Sequence, residues 1–253
     1  MRTRNGSNSG QKGSYGIDAP RLLPIPVVLI AGNIAYGVFS GSVWPFVGAL
    51  VILVSAGCGL YTSRRGKFVV WAGLLDQLAL RGDERILDMG CGRGAVLMMA
   101  ARYLITGRAV GVDRWKKEDQ SGNAAEATQR NAAAEGVAGR IDLYTADMTA
   151  LPFEDNSFDV VLSSIAIHNI KGRTGRDKAI EQAVRVLRPG GKLMIADILT
   201  THQYHAQLTR RGMVGIARRD LGWRMWWGGP WVRTRLVTAT KTVAPVSATQ
   251  PDR

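Results

Sequence analysis

Residues 22 to 63 form a run of 42 positions without a single Asp, Glu, Lys or Arg. A pair of surface helices in a water-soluble protein keeps a polar face, and this run has none. It divides at Ser40-Gly41-Ser42, where a tight turn is chemically easy. The halves, 22–39 and 44–61, with their flanks, approach the ~20 residues a helix needs to cross a ~30 Å hydrocarbon layer. Pro45 suits the first turn of the second helix, and Trp44 and Tyr61 suit the two interfaces. Arg2, Arg4, Lys12 and Arg21 precede the run, and Arg64, Arg65 and Lys67 follow it. The positive-inside rule then turns both ends to the cytoplasm. A signal peptide would show one shorter apolar core. The expectation is a two-helix transmembrane hairpin in the cell membrane, with a buried or re-entrant pair as the alternative, to which Asn33 and the prolines lend some weight.

The formal charge of +13 is unevenly placed. Residues 1–70 carry +6, residues 208–253 carry +7, and 71–207 hold 17 charges of each sign. A nucleic-acid enzyme would more often show a basic face on its body. Basic ends flanking an apolar run fit an anionic membrane surface better. Cys58 and Cys91 have no CxxC or CxxH partner, so neither a disulfide framework nor a metal site is expected. The organisation reads as a mobile basic N-terminus at 1–21, two transmembrane helices at 22–63, a domain at 64–242 and a tail at 243–253.

Within that domain the hydrophobic pattern alternates strand and helix, as a doubly wound parallel sheet requires. Strands are expected near 84–88, 109–113, 141–145, 158–163, 192–197, 213–219 and 235–241. Helices are expected near 95–104, 121–136, 176–187 and 201–211, after an amphipathic helix carrying Phe68, Trp71, Leu74, Leu75 and Leu78. The last two strands have no long helix between them, which points to a closing hairpin.

Glu84 to Gly94 read ERILDMGCGRG, a strand running into a glycine loop. Glycines let the backbone turn sharply and a ligand approach closely. Alone, Gly90-Cys91-Gly92-Arg93-Gly94-Ala95 also satisfies the dinucleotide pattern GxGxxA. Asp88 shifts the balance, because a carboxylate at the strand end opposes a pyrophosphate and suits a cation. Gly111-Val112-Asp113 supplies an acid about 20 residues on, where a ribose is read. Thr145-Ala146-Asp147-Met148, Leu151-Pro152-Phe153 with Phe158-Asp159-Val160-Val161, and Arg185-Val186-Leu187-Arg188-Pro189-Gly190-Gly191 follow in order. Over roughly 82–242 this series resembles the class I S-adenosylmethionine-dependent methyltransferases, closest to the small-molecule branch with the ubiquinone and menaquinone enzymes.

The resemblance implies an α/β Rossmann-like sheet of seven strands with helices on both faces, and S-adenosyl-L-methionine as cofactor. It implies that Asp88, Gly90, Cys91, Gly92, Gly94, Asp113, Arg114, Asp147, Met148 and Ser163 bind that cofactor. It further implies that His168, in the loop after the fourth strand, borders the methyl group. His168 is the candidate base, with a packing or capping histidine as the plainer alternative. His202, Tyr204 and His205 are weaker candidates at another edge of the pocket. Ser121 is expected to cap the helix after it. Four tryptophans at 223–231 could pack on the sheet edge, line an acceptor pocket as a lid, or rest at lipid headgroups. The expected activity is methyl transfer to a small, lipophilic acceptor at the cytoplasmic membrane face. A soluble-metabolite enzyme, an RNA or protein methyltransferase, and a cofactor-binding pseudoenzyme are the alternatives.

Overall fold

The computed structural model describes residues 12–116 and 118–243. Residues 1–11 of the expected mobile N-terminus, Lys117, and residues 244–253 of the expected tail lie outside them.

Two helices, α1 (Pro24–Ser40) and α2 (Trp44–Tyr61), form an antiparallel pair. The chain reverses at Gly41, and Pro45 opens α2. Asn33 donates to the Leu29 carbonyl 2.9 Å away, one turn back, so its polar amide is satisfied within α1. Its oxygen lies over Gly48, and the Phe46 ring lies over Gly37, so glycines set the close approach of the two helices. Only Gly37, Pro45 and Ala49 of this pair are buried. The helical stretches that contain them, Pro20–Ser40 and Trp44–Gln77, are long and apolar enough to cross a membrane.

α2 does not end at the domain boundary. One wide turn, Thr62–Gly66, carries it into α3 (Lys67–Gln77), giving one helix from Trp44 to Gln77. At 34 residues it is about 50 Å long. α3 buries Trp71, Leu74 and Leu75 in the body of the domain.

The body is a seven-stranded sheet in the order β3-β2-β1-β4-β5-β7-β6. Its strands are β1 (Arg85–Met89), β2 (Arg108–Asp113), β3 (Ile141–Thr145), β4 (Phe158–Ser164), β5 (Leu187–Asp197), β6 (Val214–Asp220) and β7 (Arg235–Thr240). Strands β1 to β5 run parallel, and β7 inserts antiparallel between β5 and β6. Consecutive residues of β1 feed opposite cores, because side chains alternate across a sheet. Ile86 joins Trp71, Leu75 and Leu97 under α3 and α4 (Ala95–Ala101). Leu87 joins Ile180, Tyr204 and Leu208 under α6 (Arg173–Val186) and α7 (Thr201–Arg210).

Three local expectations need correction. Residues 12–21 are docked onto the body. The Lys12 and Gly13 amides donate to Glu135, Ser14 N–H to Asn131, and the buried Tyr15 hydroxyl to Glu135 at 2.8 Å. Ser121 does not cap a helix either. Its Oγ accepts the Ile17 amide at 2.9 Å, and α5 (Ala125–Ala134) starts four residues later than expected, at Ala125. Finally, β5 begins at Leu187 and includes Pro189-Gly190-Gly191, because Phe158 pairs with Leu187 across a register shift.

Candidate functional site

A cavity of about 520 Å³ opens at the carboxyl ends of β1, β2 and β4, inside the 300–1,000 Å³ range of small-molecule sites. Open α/β sheets bind ligands in such a crevice, where the strand order reverses between β1 and β4. Eight of the expected cofactor residues line it: Asp88, Gly90, Cys91, Gly92, Asp113, Arg114, Asp147 and Met148.

The glycine loop leaves β1 with Gly90 at φ +74°, and a Cβ there would strike Ala166 and Met148. A bare backbone therefore forms this wall, as close approach of a ligand demands. Asp88 ends up buried, with Oδ1 lacking any hydrogen-bond partner. Burial, then the nearby Asp113 charge, push its carboxyl up to about 7. A buried carboxylate oxygen without a donor is costly, and a cationic amino group is the partner that would relieve it. The same burial, with the charges of Asp88 and Asp113, drives the Cys91 thiol well above its ordinary range, so it stays protonated.

Asp113 is held by three donors. Gly92 N–H bonds Oδ2 at 2.9 Å, while Trp115 N–H at 2.6 Å and Asn123 Nδ2 at 3.2 Å reach Oδ1. With three of its roughly four acceptor positions filled, this fixed carboxylate keeps a position on Oδ2 for a hydroxyl such as a ribose presents. Burial works against ionisation of Asp147. Thr149, bonding through N–H and hydroxyl, and Arg114 at 2.9 Å nevertheless hold its carboxyl below the usual range. The orphaned Asp88 oxygen, the bare Gly90 wall and the Asp113 carboxylate fit the methionine and ribose parts of S-adenosylmethionine.

Three expected residues lie off this wall. Gly94 opens α4 and packs against Met98 and Thr128. Ser163 is buried and donates to the Met89 carbonyl at 2.9 Å, and the next residue, Ser164, faces the cavity instead. A strand alternates its faces, so a shift of one position exchanges core for cavity. His168 also misses the lining. Its Nδ1 lies 2.5 Å from Asp197 Oδ1, and its N–H donates to Oδ2 at 3.0 Å. Asp197 is fully buried and also accepts from Ile198 N–H and the Tyr204 hydroxyl. His168 thus anchors the loop after β4 to the end of β5, and Tyr204 is buried in the same knot. His202 and His205 are not on the cavity wall either.

Sequence reasoning missed a whole side of the site. Asp18 and Lys67 line the cavity and form a largely buried ion pair at 2.8 Å. Asp18 also accepts from Ser63 at 2.7 Å and Gln120 at 3.0 Å, and Gln120 in turn accepts the Arg93 amide. The N-terminal strap, the base of α2 and the glycine loop therefore meet at one carboxylate. No spacing rule signals this, because Asp18 lies 49 positions from Lys67 and 102 from Gln120. Trp71 Nε1 bonds Ser164 Oγ at 2.9 Å, and Trp227 completes the wall.

A family model described as methyltransferase domain matches residues 87–195. The chain is 32% identical over 131 residues to a sterol 4-C-methyltransferase of Caenorhabditis elegans, covering 52% of this chain and 36% of that protein. It is 34% identical over 124 residues to a ubiquinone/menaquinone biosynthesis C-methyltransferase of Roseobacter denitrificans, covering 49% and 46%. The chain thus spans less than half the length of these two curated relatives. Among solved structures, a geranyl diphosphate methyltransferase bound to S-adenosylmethionine superposes with a TM-score of 0.57 at 16% identity, over 77% of this chain and 91% of that one. The [4+2]-cyclase SpnF superposes at 0.56 and 21% identity, over 68% and 82%. The fold is therefore shared with a protein named for different chemistry, and only the site can argue for an activity.

Proposed function

With residues 87–195 forming a class I S-adenosylmethionine-dependent methyltransferase domain, we propose that the chain methylates a small, lipophilic acceptor at the cytoplasmic face of a membrane. The observation that carries this reading is the continuity of one helix. α2, apolar and exposed, runs without a break into α3, whose Lys67 lines the cavity and whose Trp71 bonds Ser164 on its rim. A hairpin tethered only for location would need no such share in the cavity wall.

S-adenosylmethionine supplies an activated methyl group on a sulfonium. The residues of this chain hold and align the partners. Asp88 takes the cationic amino group, Asp113 a ribose hydroxyl, and Asp147 with Met148 the adenine edge. Alignment of the reacting atoms is the main contribution a protein makes to such a displacement. Asn169, Ile170 and Thr174, beyond the end of β4, also line the cavity and are assigned to the acceptor in this reading. His168 keeps that loop in place through Asp197 and is a positioning residue in this reading.

Membranes containing the full chain, incubated with methyl-labelled S-adenosylmethionine, should deliver label to the solvent-extractable lipid fraction. Label confined to water-soluble metabolites, RNA or protein would replace this acceptor class with another, and binding without any turnover would make the domain a cofactor sensor.

A further inference from the structure

The segment between β6 and β7 is joined to the helix base along a seam. Gly59, Thr62 and Gly66 share one face of the helix at three- and four-residue spacing. The backbones of Trp227, Trp226 and Arg224 meet them in the opposite order. A Cβ on Gly66 would collide with the Arg224 carbonyl, and one on Gly59 would press the Trp227 carbonyl at 3.3 Å. Thr62 Oγ1 donates to the Trp226 carbonyl at 2.6 Å. Trp223 stacks on Tyr61, the last residue of α2, with ring centroids 5.2 Å apart, and the Arg224 guanidinium lies 4.7 Å from the Trp223 ring. The tryptophan loop is therefore joined to the helix along this seam.

Along this seam the loop runs from Gly66 toward Gly59, in the direction of the apolar stretch of α2, before its turn at 228–231. Trp223 and Trp231 remain 53% and 65% exposed, a costly state for large indole rings in water. Arg64 and Arg65 lie one turn beyond Tyr61, roughly 5 Å further along the axis, and are exposed. In sequence no acid lies between Tyr61 and Asp76; in space Asp18 is taken up by Lys67 at 2.8 Å, and Asp220, before the loop, faces Arg233 at 3.5 Å. Indoles at the end of an apolar helix, followed by cations, match the layering of a bilayer surface.

We propose that this loop and helix base form a platform for anionic phospholipid headgroups. Trp223 and Trp231 seat in the interface, and Arg64, Arg65 and Arg224 face the phosphates. The platform rests on the membrane reading above and makes it specific. Trp227 belongs both to the seam and to the cavity wall. The seam therefore fixes the cavity mouth at headgroup level, where a membrane-dissolved acceptor emerges.

The test uses the full chain in phosphatidylcholine vesicles with and without phosphatidylglycerol, each carrying a nitroxide on the headgroup. Retention after a carbonate wash is scored first, and its failure sinks the membrane reading itself. In retained protein, Trp223→Phe with Trp231→Phe should lower the headgroup-quenched fraction of tryptophan emission about twofold, while Trp115→Phe leaves it nearly unchanged. Phosphatidylglycerol should deepen the quenching of the parent chain at low salt. Replacing Arg64, Arg65 and Arg224 by Gln should remove that deepening while carbonate retention persists. Retained protein whose quenching ignores both sets of substitutions overturns the platform and leaves the hairpin standing.

Discussion

Apolar side chains meet opposite fates in the sheet body and in the helical pair. Ile86 and Leu97 in the body are fully buried, whereas Leu50 is 59% and Phe39 89% exposed in the pair. The residue types are the same, so hydropathy does not explain the difference. The sheet offers two faces covered by helices, and the residues of its central strands β1, β2 and β4 are almost all buried between them. A pair of helices offers each member only one partner, and glycines at that contact leave most of the apolar surface outside it. Contiguous exposed apolar surface marks an interaction site, and the membrane proposed above would cover it. The comparison teaches that the body buries its apolar side chains within itself, whereas the pair leaves most of its own outside.

The sharpest way to break that comparison is to exchange the pair for a linker. The Asp18 amide bonds Ser63 at 3.1 Å, so the chain on either side of the hairpin is already close. Replacing residues 22–61 by a short Gly-Ser linker, with the strap at 12–19 kept, should move the protein from the membrane pellet to the supernatant almost completely. Calorimetry should find S-adenosylmethionine affinity within about threefold of the parent, a change well under 1 kcal/mol. Cutting at residue 63 instead removes Asp18 and Tyr15 as well, and should weaken the cofactor site. Equal affinity in both variants would show that the strap is incidental.

A smaller effect separates the two environments residue by residue. Leu97→Ala should cost roughly 2–5 kcal/mol of domain stability, the range for leucine cavities in a packed core. Leu50→Ala should leave the thermal transition of the domain in detergent within about 0.5 kcal/mol. Comparable losses would mean that the pair folds as part of the same core.

The smallest expected effect is a titration. Burial raises the Asp88 carboxyl to about 7 in the free protein, against about 3.9 in an unfolded chain. The free domain therefore loses stability from this group as pH climbs from about 4 toward 7, where folding holds a proton that the unfolded chain has released. A cationic amino group at Asp88 favours the ionised form, so cofactor binding should release a proton below pH 7. Affinity should rise up to tenfold per pH unit there and level off above it. Calorimetry in buffers of differing ionisation enthalpy measures the released proton directly. Asp88→Asn should abolish that release and flatten the profile, and a parent profile already flat between pH 5 and 7 would remove Asp88 from the amino-group role. Asp113→Ala, by contrast, should lower affinity by about tenfold to a hundredfold at every pH, the worth of hydrogen bonds to a charged group.

Much of this molecule was legible from one dimension. Six of the seven strands lie within about one residue of where the hydrophobic pattern put them, β5 starting earlier, at Leu187, and the glycine loop, Asp88, Asp113 and Asp147 converge on one cavity. These features rest on local rules: strand periodicity, a turn that needs glycine, an acid at a strand end. Ser163 and Ser164 show where such rules thin out, since both are plausible by type and only the pleat decides which one faces the cavity. His168 shows a second limit. Its loop position favoured a base, and only the fold shows that its Nδ1 meets a fully buried carboxylate at the end of β5.

The sequence by itself determined the sheet, its cofactor loop and an uncharged run whose length and composition fit two spans. Each of these follows from neighbours a few positions apart. Tertiary structure alone decided that Asp18 meets Lys67 and Gln120, that residues 12–21 form a strap, and that a tryptophan loop is riveted to the helix base through Gly59, Thr62 and Gly66. Those contacts join segments up to 168 positions apart. They depend on where the whole sheet leaves its edges, and no periodicity along the chain encodes that.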